Sequence, residues 1–473
     1  MNTMSEIITK EIIIEDYAFT NKVYSKSIDS SISLNNLNKA IKSELDLKNQ
    51  PFILFFGSKK DKRLQELSKE NFNEIWNARW KDEELILRVR RQVDLKKIRD
   101  LRTGIEKQFY DLPYSILQVD NVKPEESRRR LQRVARMFLE EIANDPKTAA
   151  FKIPSRSSDN VGYDDVSKLV LLGSHVVDRQ FRHLSSVQSV VQLTGLMRYI
   201  SEILETGKHA TKRHLFYRDV NLFGNQRVSD SLLEDLTALI RVSRPSINVI
   251  ASAKGKVIGR LSFTEGGDLI DCTQGLGGHA ITPMLDQVDN FESDAEFLLV
   301  IEKDAVFQDL AEEKFFNYLP CILVTASGQP DMATRMFIKR IHEHLSIPIL
   351  GFLDADPYGL DILRVYSIGS KALSFESVEL AVPEIKWLGL LPSDIKEYQI
   401  PKSVLIKMTE NDMKRADDLL QEDFVKSRPE WDRQIRIMKD TGMKAEIQAL
   451  AGKNWRFMTS TYLPQKLHSG DWV

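Results

Sequence analysis

Only two cysteines occur in 473 residues, Cys272 and Cys321. Their separation fits no metal-ligating or redox pair, so both are expected to be reduced core thiols of an intracellular protein. No uninterrupted apolar run approaches the ~20 residues needed to cross a bilayer. The opening Met1-Asn2-Thr3-Met4-Ser5-Glu6 has no basic stretch ahead of an apolar one, so no secretory signal is read. A soluble protein with no membrane partner is expected. Charge of one sign is lacking too: 66 Lys and Arg against 68 Asp and Glu leave −2. A nucleic-acid face must therefore be local and offset by acid elsewhere. No Gly-x-x-x-x-Gly-Lys-Ser/Thr loop is present, so this chain is expected to bind no nucleotide. His342-Glu343-His344 lacks the four-residue spacing that sets two histidines on one helix face, and reads as a helix end.

What is there is an ordinary globular balance, 42% hydrophobic and 28% charged, over a length sufficient for two or three domains. Residues 1–120 mix short apolar runs with polar stretches and carry no legible chemistry. A helix opens at Pro124-Glu125-Glu126, with Leu131, Val134, Phe138 and Ile142 as its apolar stripe. Its arginines 128, 129, 130, 133 and 136 suit either phosphate contact or an ordinary solvated face. A second helical pattern runs through 180–205 and stops at Gly207. A third is read from Ser231, with Glu234 completing a capping box. Ile247–Ile250 and Val257–Leu261 read as two strands joined by Ala253-Lys254-Gly255. Three helices and a two-stranded wing describe a winged-helix DNA-binding domain of the catabolite-activator type over 121–262. Lys254 would lie in the wing loop, within reach of phosphate.

Residues 263–292 read as a glycine-rich connector. From 293 to 473 the pattern is α/β. Phe297–Ile301, Cys321–Thr325 and Ile347–Leu353 are apolar runs typical of strands buried on both faces, each followed by a helix. Such alternation gives a mainly parallel, Rossmann-like sheet whose strand ends line a crevice. The expected fold is thus multidomain, α+β followed by α/β.

Two constellations carry chemistry. Tyr217 follows Arg213 by four residues on one helical face and precedes Arg218; Lys212 is adjacent. An unperturbed phenol titrates near ~10, and flanking cations lower the cost of a phenolate while binding the phosphate it would attack. Taken alone, Tyr217 reads first as an ordinary half-buried helix residue with its hydroxyl in water. Glu302, Asp354 and Asp356 fall at the ends of two expected strands, where three carboxylates repel unless a hard divalent cation joins them. Magnesium suits that set.

The pattern Arg213-x-x-Phe216-Tyr217-x-Asp219-Val220-x-Leu222-Phe223-x-x-Gln226 resembles the active-site tyrosine motif of the DNA topoisomerase VI A chain family, which includes meiotic double-strand-break relatives. Val300–Phe307, Asp354–Gly359 and Trp387-Leu388-Gly389 resemble that family's Toprim landmarks, in the same order. The resemblance covers roughly residues 120–473 and departs at Phe216, where the family often has a second tyrosine. It implies Tyr217 as the nucleophile that joins a DNA 5′ phosphate, with Arg213 holding that phosphate. It implies Glu302, Asp354 and Asp356 as ligands of Mg2+, with Mn2+ as a substitute, and Lys254, Arg218 and Lys212 as DNA contacts. It further implies a homodimer on double-stranded DNA, a topoisomerase VI B-like subunit, meiotic accessory proteins and a nuclear, chromosomal site of action. Phe216 and the unmatched N-terminal region tilt this reading toward meiotic double-strand-break formation. The alternatives are a topoisomerase VI A subunit performing ATP-dependent strand passage, a Toprim nuclease, and a non-catalytic DNA-binding scaffold.

Overall fold

The computed structural model describes residues 9–16, 23–29, 32–44, 52–57, 65–67, 71–79, 85–91, 93–105, 117, 119–250 and 254–473. The chain divides into two compact units. One comprises Met1–Asp100, Ile400–Lys402 and Gln448–Asp471; the other comprises Leu101–Gln399, Ser403–Ile447 and Trp472–Val473. Gln448–Asp471 is thus part of the first unit by its contacts.

The first unit contains strands β1 (Thr9–Asp16), β2 (Val23–Asp29), β3 (Phe52–Gly57), β4 (Gln65–Leu67) and β5 (Leu85–Arg91), in the order β2-β1-β5-β3-β4. Helices α1 (Leu34–Glu44) and α2 (Phe72–Arg79) interrupt them, and α3 (Lys96–Thr103) spans the division. Leu37, Ile41, Leu54, Trp76 and Leu87 are buried. The region that offered no legible chemistry nevertheless holds regular elements with buried apolar side chains.

The second unit opens with α4 (Pro124–Asn144), which begins at its proline as the sequence reads. Two antiparallel ribbons follow, β6 (Ala150–Pro154) with β9 (Val176–Gln180), and β7 (Val161–Asp164) with β8 (Leu169–Leu172). Then come α5 (Val187–Thr206), β10 (Ala210–Thr211), α6 (Lys212–Arg218), α7 (Val220–Phe223), α8 (Gln226–Ile240) and β11 (Val249–Ile250). Leu131 and Phe138 of α4, Leu193, Leu196 and Ile200 of α5, and Leu232 and Leu236 of α8 form one core. Each such side chain taken from water contributes about 1.5–3 kcal/mol. Gly207, in the left-handed region at φ 64°, ends α5 where a side chain would be strained.

Two local expectations change. Helix α8 starts at Gln226, because Asn225 Oδ1 accepts from Val228 N at 3.1 Å. Ser231 is therefore interior, and Glu234 serves an ion pair instead of a capping box. The two strands expected to form a wing do not pair with each other: β11 pairs with β10, and β12 (Lys256–Gly259) joins the large sheet. Val257 and Ile258 are wholly buried, so they suit an interior strand and not a solvated ribbon. Ala253 of the expected wing loop lies outside the described residues.

The connector is likewise built structure. It holds β13 (Ser262–Glu265), β14 (Asp268–Asp271), β15 (His279–Ala280) and β16 (Val288–Glu292), with β14-β13-β16 a three-stranded sheet. Its glycines make turns: Gly266 and Gly267, both at positive φ, close the β13–β14 hairpin.

Beyond it run β17 (Phe297–Ile301), α9 (Asp304–Glu312), α10 (Phe315–Tyr318), β18 (Cys321–Thr325), α11 (Met332–Leu345), β19 (Ile349–Phe352), α12 (Pro357–Ile368) and β20 (Lys386–Gly389). The six-stranded order is β15-β12-β18-β17-β19-β20, with β18, β17, β19 and β20 parallel. Every residue of β17 and β18 is buried. Trp387-Leu388-Gly389 lies in β20, the edge strand of this sheet.

Gly259 ends β12 at φ 120°, where an added Cβ would lie 2.5 Å from the Cys321 carbonyl oxygen. Gly259→Ala is expected to destabilise the second unit by about 2–3 kcal/mol, read as a lower denaturation midpoint.

Candidate functional site

Tyr217 lies on α6, only seven residues long, so its placement depends on what holds the ends. At the front, Thr211 Oγ1 accepts from His214 N at 3.1 Å. At the back, Asp219 Oδ1 accepts from Leu222 N at 3.0 Å, and Asp219 Oδ2 accepts from Tyr199 Oη at 2.9 Å. The residue two beyond Tyr217 is thereby pinned to α5. These donors, Leu222 N–H first and then Tyr199, hold the Asp219 carboxyl below its ordinary range. Tyr217 is 63% exposed, with its ring 5.2 Å from that of Phe216.

The basic residues around it divide by partner. Lys212 Nζ is 3.1 Å from Glu234 Oε1 on α8, and Glu234 also accepts from Arg156 Nη1 at 2.6 Å. Asp235, buried, takes both Arg156 and Arg179. Lys212 therefore ties the front of α6 to α8. Arg218 Nη2 lies 2.9 Å from Glu202 of α5. Arg213, one helical turn before Tyr217, is exposed and has no ion-pair partner among the described residues. Lys254 is exposed just before β12, outside any wing. On α4, Arg128, Arg129 and Arg130 are engaged with Glu205, Glu126 and Asp120, which leaves much of that cluster neutralised.

Glu302, Asp354 and Asp356 follow the adjacent parallel strands β17 and β19, near enough for their charges to interact. Glu302 directly follows β17, and its Oε2 accepts from Asp354 N at 2.9 Å. Asp354 is 3% exposed, and its Oδ1 accepts from Ile447 N at 2.9 Å. Asp356 caps α12: its Oδ1 accepts from Tyr358 N at 2.9 Å and Gly359 N at 2.7 Å. Gly359 is required there, since a Cβ would stand 2.4 Å from the Asp354 carbonyl oxygen. Burial, then the charge of Asp354, pushes Glu302 up to about 7. Burial first also raises Asp354 and Asp356. Partly buried carboxylates with raised proton affinity and oxygens left over from backbone bonding are a donor set that fits a hard divalent ion.

Three residues of this centre escaped the sequence reading. Lys303 Nζ lies 2.8 Å from Asp354 Oδ2 and 3.6 Å from Glu446 Oε1. Lys444 pairs with Asp412 at 2.9 Å and lowers the proton affinity of nearby Asp356. Lys303 was readable only as a neighbour of Glu302. Lys444 and Glu446 arrive from some 90 positions away through an Ala355–Ala445 β-bridge, and no local pattern announces that.

Comparison with known proteins decides the family. Residues 297–467 match the model of the Toprim domain shared by Spo11 and the A subunit of topoisomerase 6, and residues 188–249 match that of type IIB DNA topoisomerase. The A subunit of DNA topoisomerase 6 from Arabidopsis thaliana is 45% identical over 68% of this chain and 76% of its own length. The chain belongs to the topoisomerase 6A/Spo11 family. The human meiotic recombination protein SPO11 is 38% identical, over 68% of this chain and 83% of its own. The A subunit of type 2 DNA topoisomerase 6 from Aeropyrum pernix is 35% identical, over 68% and 89%. As a topoisomerase 6A/Spo11 protein, the chain is a topoisomerase-like tyrosine transesterase acting on DNA, and its parallel-sheet region is the family's Toprim domain.

The acidic centre sets a pH dependence. A carboxyl raised in the folded state favours folding when protonated, and that contribution is lost as pH climbs from the unfolded value of ~4.3 through the folded value of about 7 for Glu302. A divalent ion needs the charged form, so its stabilisation grows over the same interval. The rise in melting temperature on adding MgCl2 is therefore expected to be larger at pH 8 than at pH 6, measured by calorimetry on the full chain.

Proposed function

We propose that this chain cleaves one strand of duplex DNA by transesterification from Tyr217, and that a pair of chains cleaves both. The single observation that carries this reading is an exposed tyrosine on a helix held at both ends, one turn after an exposed arginine, in a chain whose Toprim strands β17 and β19 are followed by three acids. Tyr217 Oη forms the bond to phosphorus, the bond from phosphorus to the 3′ oxygen breaks, and the phenolic proton is lost as the departing oxygen gains one. The product is a 5′-phosphotyrosyl link and a free 3′ hydroxyl. One ester replaces another, so no nucleotide hydrolysis drives the cut itself.

Arg213 would hold the phosphate oxygens beside Tyr217. Glu302, Asp354 and Asp356 would hold Mg2+, or Mn2+ in its place, which when bound supplies charge stabilisation for the reacting phosphate. Residues 121–255, without β12 of the expected 121–262, would form a winged-helix DNA-binding domain, with the ribbons between α4 and α5 in place of the expected wing. Lys254 and Arg218 remain its proposed phosphate contacts; Lys212 would act by steadying α6. Cutting two strands calls for two chains, as a homodimer on DNA. An ATPase-type B subunit would supply the nucleotide-driven step.

Two outcomes of this chemistry are distinguished by the fate of the cut ends. The 45% identity to a relative named as a topoisomerase subunit, against 38% to human SPO11, favours strand passage and resealing. Meiotic break formation, with accessory proteins and a nuclear location, is the second reading, favoured by Phe216 in place of a second tyrosine. Relaxation of supercoiled DNA by the chain with its B-type partner is expected on the first reading, and persistent covalent ends without relaxation on the second.

For the shared chemistry, the chain is purified under denaturing conditions from its native setting and tested for attached DNA. Oligonucleotides joined through 5′ ends are expected in the wild type and absent in Tyr217→Phe. Arg213→Ala is expected to lower their yield about a hundredfold. Attachment that persists in Tyr217→Phe removes Tyr217 as nucleophile, and breaks without any attachment favour a Toprim nuclease.

A further inference from the structure

Asp354 has one carboxylate oxygen committed to the backbone of Ile447, and the other faces the ammonium of Lys303. That same ammonium stands 3.6 Å from Glu446. Glu446 reaches the centre because its segment is stitched to the acid loop. Ala355 N donates to Ala445 O at 2.8 Å, and Ala445 N donates to Ala355 O at 3.3 Å. The two carboxylates flanking Lys303 differ in kind, since the Asp354 side chain is 4% exposed and that of Glu446 is 49% exposed. Lys303 therefore has one buried and one solvated berth within reach of a flexible four-carbon stem.

We propose that Lys303 is a displaceable internal counter-ion of the acidic centre. It neutralises Asp354 while no divalent ion is bound and passes to Glu446 when one binds, which frees Asp354 Oδ2. This rests on the reading that Glu302, Asp354 and Asp356 hold Mg2+. Glu302, Asp354 and Asp356 with Lys303 among them carry −2 when all are ionised; with Lys303 moved onto Glu446 the trio presents its full −3 to the incoming cation. Without the buried berth filled, three acids would face one another uncompensated. Without the solvated berth, Lys303 would compete with the ion for one oxygen. Lys303 is a positioning residue in this scheme, and Glu446 is its receiver and no ligand.

The scheme fixes the sign of each substitution. Lys303→Met removes the competitor and is expected to tighten Mg2+ binding about three- to tenfold, the range for a partly exposed ion pair. Lys303→Arg keeps the cation and stays near wild type. Glu446→Gln removes the receiving berth and is expected to weaken binding about two- to fivefold. In the Lys303→Met background, Glu446→Gln has no further effect, which is the coupling a double-mutant cycle reads. The measurement is calorimetric titration of the full chain with MgCl2 at pH 8, without DNA, with folding verified by circular dichroism; Lys303→Gln replaces Lys303→Met should that variant not fold. Binding in Lys303→Met that is unchanged, weaker or absent overturns the proposal. A Glu446→Gln loss that persists in the Lys303→Met background also overturns it, by making Glu446 a direct ligand. Asp356→Asn separates the underlying reading: undiminished binding in that variant shows that the acidic trio is not the Mg2+ site, whatever Lys303 does.

Discussion

Repulsion among three carboxylates at the ends of buried strands is the constraint around which the second unit is arranged. Parallel strands β17 and β19 are apolar along their whole length, so the first polar residues after them arrive close together and away from water. The fold answers with backbone donors. Asp354 N faces Glu302, Ile447 N faces Asp354, and the first amides of α12 face Asp356. Each donor occupies one carboxylate oxygen and leaves another, so compensation is partial by construction. The residual charge is what gives the centre an appetite for a cation, and Lys303 is the cation the chain itself supplies.

The tyrosine is held by a different set of contacts. A helix of seven residues has little stability of its own, and side chains from neighbouring helices fix it. Thr211 caps it, Lys212 ties it to α8, and Asp219 links its far end to Tyr199 of α5. The charged groups that a sequence reading assigns wholesale to phosphate thus divide into those that build the platform and those without an ion-pair partner among the described residues. Arg213 belongs to the second kind.

This division marks where legibility ends. Buried parallel strands were readable because five consecutive apolar residues leave no solvated face, and the acids were readable because they terminate such runs. The onset of α4 was readable from a proline and two acids. By contrast, Val257–Leu261 was assigned to a wing because a short apolar strand looks the same whether it closes a ribbon or enters a sheet. Its partner, Cys321–Thr325, lies some 65 residues on, beyond any local pattern. The glycines of 263–292 misled for a related reason: glycine marks a turn and a linker alike. Glu234 looked like a capping residue until Asn225 proved to hold the helix start. For Lys444 and Glu446 there was nothing local to read.

The Ala355–Ala445 bridge joins a loop near residue 355 to a strand pair, Ile406–Lys407 with Met443–Lys444, made almost ninety residues later. Until that later segment has left the ribosome, Asp354 lacks the amide that holds it, and Lys303 lacks its second carboxylate. A nascent chain can complete the parallel sheet, and display every acidic residue its motifs advertise, while its acidic centre is still unfinished. Competence therefore matures later than architecture, in the same molecule, by the time needed to synthesise and dock one short return strand.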